Sequence, residues 1–188
     1  MRVIAGQYRS RPLRSLRGME LRPSSDRLRE TLFNVLTAGN PAALERTTWF
    51  DLYAGTGAVG IEALSRGAGM IYFVESDAKA ANLIQDNLQS LQIEAGFQLL
   101  KMDAPKALRR LEAEGKSADF IFLDPPYHMK EAYRQTLELP ANSPLLRNTS
   151  IVVAEHARKF DPGDTFGSLR RYRKLEQGDA ALSFYRCN

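Results

Sequence analysis

The chain has 188 residues, 44% hydrophobic and 26% charged, which suits one α/β domain with a large core. No run approaches the ~20 apolar residues that span a bilayer, the opening MRVIAGQYRSRPLRSLRG has no apolar signal core, and the single Cys187 cannot form an internal disulfide, so a cytoplasmic protein without membrane contact is expected. A net charge of +4 excludes little by itself, and two histidines with one cysteine offer no recognisable zinc-ligand set, so no metal is expected.

The charge is uneven along the chain. Residues 1–19 carry Arg2, Arg9, Arg11, Arg14 and Arg17 and no acid; arginine suits phosphate recognition better than lysine, and such a cluster points to a nucleic-acid partner. Residues 1–24 therefore read as a basic arm or small extension ahead of a main domain over 25–188. Next, SSDRLRETLFNVLTAG predicts a serine-capped helix with Leu28, Leu32, Val35 and Leu36 on one stripe, ended by Gly39. TTWFDLY and MIYFVE read as short buried strands. Between them, the second half of AGTGAVGIEALSRGAG suits a helix ended by Gly67, completing one βαβ unit.

A helix from about Asp77 follows, with Ala81, Ile84, Leu88 and Leu91 on one face, and then FQLLKMD, a helix around PKALRRLEAEG, and the strand FIFLD. A helical stretch near KEAYRQTLEL, the strand SIVVAEH and two strands around Gly178-Asp179 close the chain, the last pair as an antiparallel hairpin. Within that hairpin, RRYRK at 170–174 forms a second basic cluster around Tyr172. The alternation implies a doubly wound α/β fold with a mostly parallel sheet and an antiparallel C-terminal hairpin. Ligands of such folds bind at the carboxyl ends of the strands, where Asp51, Glu75, Asp103 and Asp124 are expected.

Gly55, Gly57 and Gly60 have the G-x-G-x-x-G spacing, and Glu75 follows Gly55 by 20 residues, which matches the fingerprint of an adenosine cofactor: bare backbone for the ligand and a carboxylate for ribose hydroxyls. Asp51, four residues before Gly55, would repel a pyrophosphate. A cationic ligand would favour it, and a pocket edged by Asp51, Asp103 and Asp124 suits S-adenosylmethionine, with Asp103 available to the adenine amino group. Each acid also has a plainer reading as a helix cap or solvated loop residue. FIFLDPPYHM adds that the backbone after the strand is stiff, because each proline fixes φ and withholds an N–H, leaving carbonyls free to accept from a ligand. The simpler reading is a strand terminator.

Taken together, DLYAGTGAVGIEALSRGA, FVESD, FLDPPY and LRPSSDRLRETLFN resemble the bacterial 16S ribosomal RNA guanine-N2 methyltransferases, and the resemblance spans nearly the whole chain. The glycine loop and D-P-P-Y occur across amino-methyltransferases, whereas RPSSDRLRE joined to the basic arm narrows the match. The resemblance implies a Rossmann-like methyltransferase fold, S-adenosylmethionine as donor, and a flipped guanine of ribosomal RNA, free or in a partly assembled small subunit, as acceptor. It further implies cofactor contacts from Asp51, Ala54, Gly55, Thr56, Gly57, Glu75, Ser76, Asp103 and Ala104, catalysis by Asp124, Pro125, Pro126 and Tyr127, and substrate contacts from Arg2, Arg9, Arg11, Arg14, Arg17, Arg27, Tyr127 and His128. His128, Met129 and Lys130 depart from the glycine or basic residue that family members often carry after D-P-P.

An exocyclic amine is a poor nucleophile while its lone pair is delocalised into the ring. Asp124 can accept one N–H and the Pro125 carbonyl the other, directing the lone pair at the methyl group, while Tyr127 stacks on the base. His128 could take the departing proton, though a lone loop histidine is more often structural or a plain base contact. Three rivals stand beside this reading. A DNA adenine-N6 or cytosine-N4 methyltransferase would use the same D-P-P-Y, but no target-recognition domain is evident. A nicotinamide-dependent oxidoreductase would explain the glycine loop alone, and a non-catalytic RNA-binding module would bind RNA without transfer.

Overall fold

Strand and helix alternate through the residues described by the computed structural model, 1–15 and 23–188; Arg17 lies outside them. Helix α1 (Pro23–Leu36) leads into β1 (Thr48–Leu52), α2 (Ala58–Ser65), β2 (Met70–Val74), α3 (Ala78–Ser90), β3 (Phe97–Leu100), α4 (Ala104–Ala113), β4 (Ala118–Leu123), α5 (Lys130–Ala141) and β5 (Leu146–Ala157). The chain closes with β6 (Thr165–Phe166), β7 (Leu169–Gln177) and β8 (Ala180–Cys187). Among the described residues these strands form one sheet of order β3-β2-β1-β4-β5-β8-β7-β6. The first five run parallel, and β8, β7 and β6 pair antiparallel. This is the mixed, doubly wound α/β sheet with an antiparallel C-terminal hairpin that the alternation predicts.

The central strands read as continuous apolar runs because helices cover both faces. On one face Trp49 stacks between Phe33 of α1 and Phe120 of β4, with ring centroids 5.6 and 4.6 Å away. On the other, Phe50, Ile121 and Val152 pack with Leu108, Leu111 and Leu137 of α4 and α5. Gly60, third of the glycine series, is a packing residue: a Cβ there would lie 2.3 Å from the Phe73 ring, so α2 can approach β2 only without one.

Several boundaries differ from the sequence expectation. Helix α1 begins at Pro23 and ends at Leu36, three residues before Gly39; proline's preset φ suits a first turn, and the side chains of Ser24 and Ser25, read as the cap, lie outside the described residues. Strand β3 stops at Leu100, so Asp103 is not at a strand end. It is instead the N-cap of α4 and accepts from the Lys106 N–H at 3.0 Å. Strand β5 begins at Leu146, four residues before SIVVAEH, and the two-residue β6 has no periodicity long enough to announce it.

The basic arm folds back on itself and docks. Val3 and Leu13 are buried, the Val3 N–H donates to the Arg11 carbonyl at 3.0 Å and the Ser10 N–H to the Val3 carbonyl at 2.8 Å. Its anchor is Glu62 of α2, fully buried, which accepts from the Ile4 N–H at 2.7 Å and the Ala5 N–H at 3.0 Å and pairs with Arg66 at 2.8 Å. Arg29 of α1, also buried, donates to the Arg2 carbonyl at 2.5 Å and sits 3.8 Å from Glu62. Gly6 passes so close that a Cβ would lie 1.8 Å from the Ser65 carbonyl oxygen.

Glu62→Ala should therefore strip two arm N–H groups and Arg66 of their acceptor and leave Arg29 with Asp26, 3.1 Å away, as its remaining acid. Breaking a buried pair on one side costs about 3–5 kcal/mol, and for a chain of this length that lowers the melting temperature by about 10 °C. Thermal unfolding followed by circular dichroism checks this; a shift of only about 1 kcal/mol would refute the clamp.

Candidate active site

Strand β1 is flanked by β2 and β4, with Leu52 opposite Val74 on one side and Leu123 on the other. The three strands therefore stop at one level, and the residues that follow surround one open cleft of ≈ 2810 Å³. Gly55, Thr56, Glu75, Ser76, Asp103, Asp124, Pro125, Pro126, Tyr127 and His128 all line it.

The glycine loop is held from below and from the side. Asp51, 1% exposed, accepts the Gly60 N–H at 2.9 Å from beneath. Glu75 accepts the Gly55 N–H at 2.9 Å through Oε2 and the Asp77 N–H at 2.8 Å through Oε1. Gly55 and Gly57 have φ of 56° and 76°, left-handed values that glycine adopts without strain. A Cβ at Gly55 would meet no atom nearer than 3.9 Å, so the loop leaves room for a ligand to approach its backbone. Each Glu75 oxygen keeps a further lone pair for a ligand hydroxyl.

The carboxylates give this end of the sheet a negative field. Burial, with smaller contributions from Asp124 and Glu75, pushes the Asp51 carboxyl up to about 8 against the opposing Gly60 hydrogen bond. Asp103 is held below the ordinary carboxylate range, chiefly by its hydrogen bond to Lys106. These acceptors thus fit a ligand that is cationic at one end and offers hydroxyls at the other.

The predicted site residues divide by position. Asp51 and Ala54 lie off the main cleft and line a smaller cavity of ≈ 200 Å³ behind the loop, which Asp124 shares; Gly57 and Ala104 are buried outside the lining. Arg2, Arg9, Arg11 and Arg14 are exposed on the arm and Arg27 on α1. Arg11 donates to the Ser90 carbonyl at 3.0 Å, and Arg14 lies 3.7 Å from Asp86. Among the described residues of the arm, Met1 and Ser15 reach the cleft.

Two further residues shape the site. Asn87, fully buried on α3, donates to the carbonyls of Thr56 at 2.9 Å and Arg14 at 3.1 Å and accepts the Arg14 N–H at 2.8 Å, tying the glycine loop to the arm. A polar side chain three residues after Ile84 on the apolar face was the available signal. Tyr133, fully buried on α5, donates its hydroxyl to the Pro125 carbonyl at 3.2 Å while its ring packs edge-on against His156 and tilted against Phe160. It takes one lone pair of the buried Pro125 carbonyl, and the Pro126 carbonyl accepts the Met129 N–H at 2.8 Å, so these carbonyls are not left without protein donors as the sequence suggested; the spacing of Tyr133 from Leu137 reads only as core.

The model of a family described as Conserved hypothetical protein 95 matches residues 1–186. A Bacillus subtilis (strain 168) protein provisionally named rRNA methyltransferase YlbH is 33% identical over 186 residues, covering 99% of this chain and 98% of that protein. The Ribosomal RNA small subunit methyltransferase D of Haemophilus influenzae is 33% identical over 156 residues, 82% of this chain and 78% of that one. A solved Escherichia coli structure, of the provisional methyltransferase yhhF, superposes with a TM-score of 0.81 at 27% identity, covering 100% of this chain and 98% of that chain.

The raised Asp51 carboxyl has a definite effect on stability. The folded chain holds a proton at Asp51 that the unfolded chain releases above about pH 4, so this group makes the protein progressively less stable as pH rises to about 8. Asp51→Asn retains an oxygen for the Gly60 N–H and removes the titration. Melting temperatures taken from pH 5 upward should fall less steeply for the variant than for the parent; parallel curves would place the Asp51 carboxyl in the ordinary range.

Proposed function

The chain belongs to the family described as Conserved hypothetical protein 95, and on that premise we propose that it is an S-adenosylmethionine-dependent methyltransferase acting in the cytoplasm on the exocyclic N2 of a guanine in small-subunit ribosomal RNA. The observation that carries this reading is the convergence of Asp124 and Pro125 with Gly55, Thr56 and Glu75 on one cleft. The names of the relatives support the RNA class.

Gly55 and Thr56 would hold the cofactor by their backbone and Glu75 by its carboxylate, with Ala54, Gly57, Ser76 and Ala104 shaping the loop around it and Asp103 at the adenine end. When bound, the cofactor supplies an electrophilic methyl group on a sulfonium. The chain's own task is to prepare the amine. Asp124 accepts one N–H and the Pro125 carbonyl the other, so the amine is turned out of conjugation with its lone pair facing the donor. The Tyr133 hydroxyl fixes that carbonyl from behind and leaves its second lone pair for the substrate. Pro126, without an N–H, keeps the turn stiff, and Tyr127 stacks on the extruded base. As positive charge develops on nitrogen, the Asp124 carboxylate stabilises it and the proton passes to water. His128, exposed at the rim, contacts the base edge. Arg2, Arg9, Arg11, Arg14 and Arg27 hold phosphates, with Arg17 in the same arm, and position the RNA without reading its sequence.

Mapping methyl groups on ribosomal RNA from cells lacking the protein tests the reading: one guanine should lose its N2 methyl and regain it on complementation. A missing methyl on an adenine or cytosine amine, or no missing methyl at all, would overturn it.

Two substitutions separate the roles. Asp124→Ala should bind S-adenosylhomocysteine with the parent's calorimetric affinity yet lose at least about a hundredfold in turnover, the range seen when a group that stabilises developing charge is removed. Tyr133→Phe keeps the ring among His156 and Phe160 and removes one neutral hydrogen bond, so kcat should fall roughly three- to tenfold with the RNA KM unchanged. Combined with Asp124→Ala it should add little, since both act on the same amine; full additivity would show that Tyr133 acts elsewhere.

A further inference from the structure

The basic cluster around Tyr172 is not part of the cleft. Between Arg171 and Arg173 the β7–β8 register shifts by one residue, with Arg171 opposite Tyr185 and Arg173 opposite Phe184. Tyr172 is thus the extra residue of a β-bulge, a device that re-aims a side chain. The residue is 41% exposed, its ring tilted against Phe184 at 6.2 Å, with the Arg186 guanidinium 5.4 Å from the ring centroid.

The cations of this segment fall into two groups. Arg171 is neutralised by Asp161 at 2.8 Å and by Asp164, and Lys174 by Glu176 at 3.2 Å and Asp161 at 3.6 Å. Arg170, Arg173 and Arg186 are exposed and have no acidic partner within 4 Å among the described residues. Arg170 pairs across the strands with Arg186, two residues on from Phe184, so these cations share the sheet face of Phe184. That is the face on which Val3 and Leu13 of the arm and Leu28 and Leu32 of α1 also pack.

We propose that Arg170, Tyr172, Arg173 and Arg186 form a second contact surface for the substrate RNA, with phosphates on the arginines and a sugar or base against the exposed tyrosine ring. The identity of the RNA rests on the function proposed above; the surface itself rests on the bulge and its unneutralised arginines. Arg186 is level with Ile151, itself level with Phe120, and so lies four residues short of Asp124 along the strands. Together with the three strand spacings between β4 and β7, this sets the patch roughly 20 Å from Asp124. That span is too large for the flipped nucleotide and fits RNA flanking it. Guanidinium groups suit phosphate oxygens, and a ring held in place by Arg186 and Phe184 loses little freedom when a base or sugar packs on it.

The test measures binding of end-labelled, deproteinised small-subunit ribosomal RNA across a series of KCl concentrations, with phosphatidylserine vesicles as a second probe. Arg170→Ala/Arg173→Ala should lower the slope of log affinity against log salt by roughly 0.7 to 0.9 for each lost contact. Melting temperature, S-adenosylhomocysteine affinity and kcat at saturating RNA should stay at parent values. Tyr172→Ala should weaken RNA binding about tenfold at an unchanged slope, and Tyr172→Phe, which keeps the packing on Phe184, should bind as the parent does. An unchanged slope in the double variant overturns the proposal, and so does a variant that loses vesicle binding while RNA binding is intact. Failure of the parent to methylate the RNA both free and in small-subunit particles from cells lacking the protein, with the slope still lowered in the variant, would remove the proposed function and leave the surface standing.

Discussion

Leu52 is bonded into a ladder with Val74 on one side and Leu123 on the other, and the geometry of the site follows from that register. Because the three strands end at one level, the next residues of β2 and β4 are Glu75 and Asp124, while the chain leaving β1 turns through Tyr53, at φ 60°, into the glycine loop. The Asp124 N–H extends the ladder by donating to the Leu52 carbonyl at 3.4 Å. Parallel pairing in a buried sheet resists slippage, since a one-residue shift would exchange the faces of Phe50, Ile121 and Val152 with those of their neighbours. Groups carried on short loops inherit that rigidity.

Three of the acids near this end of the sheet are handled in different ways. Asp51 is buried and its carboxyl is raised to about 8, so its charge is suppressed near neutrality. Glu75 has two backbone N–H groups on its oxygens, and Asp103 is half-exposed and paired with Lys106 at 2.8 Å. The arrangement leaves this end of the sheet with a preference for positive charge. Under the proposed function the sulfonium and the developing ammonium draw on that preference at the donor and acceptor ends of one cleft.

Around the cleft, the basic arm and the proposed Tyr172 patch pack on or extend one face of the sheet. The arm's position is coupled to the glycine loop through Asn87, which bonds Thr56 and Arg14 at once. A displacement of the arm is thus felt at the loop through one side chain. Helix α1 touches both the arm and β7, through Arg29 on the Arg2 carbonyl and the Thr31 hydroxyl on Gln177, with its inner stripe buried and Arg27 exposed.

Much of this was legible in the chain. Apolar runs of four to six residues alternating with 3.6-period stripes determined the doubly wound sheet and its order of elements, since burial on one or two faces imposes those periods directly. The glycine spacing, Glu75 and D-P-P-Y identified the strand ends that line the cleft, because bare backbone, a carboxylate and a proline-stiffened turn are properties of residue type. Periodicity reports only which face is buried, not which distant atom a buried polar group meets. It could not reveal that Glu62 clamps Ile4 and Ala5, 58 and 57 residues away, that Asn87 reaches Arg14 across 73, or that Tyr133 aims its hydroxyl at Pro125. Likewise the Asp103 carboxylate is equally at home at a strand end or a helix cap, and the one-residue bulge that turns Tyr172 outward leaves no local pattern. Those outcomes depend on how helices seat on the sheet, and only the tertiary structure decided them, because a hydrogen bond's partner is set by three-dimensional proximity rather than by the spacing of residues along the chain.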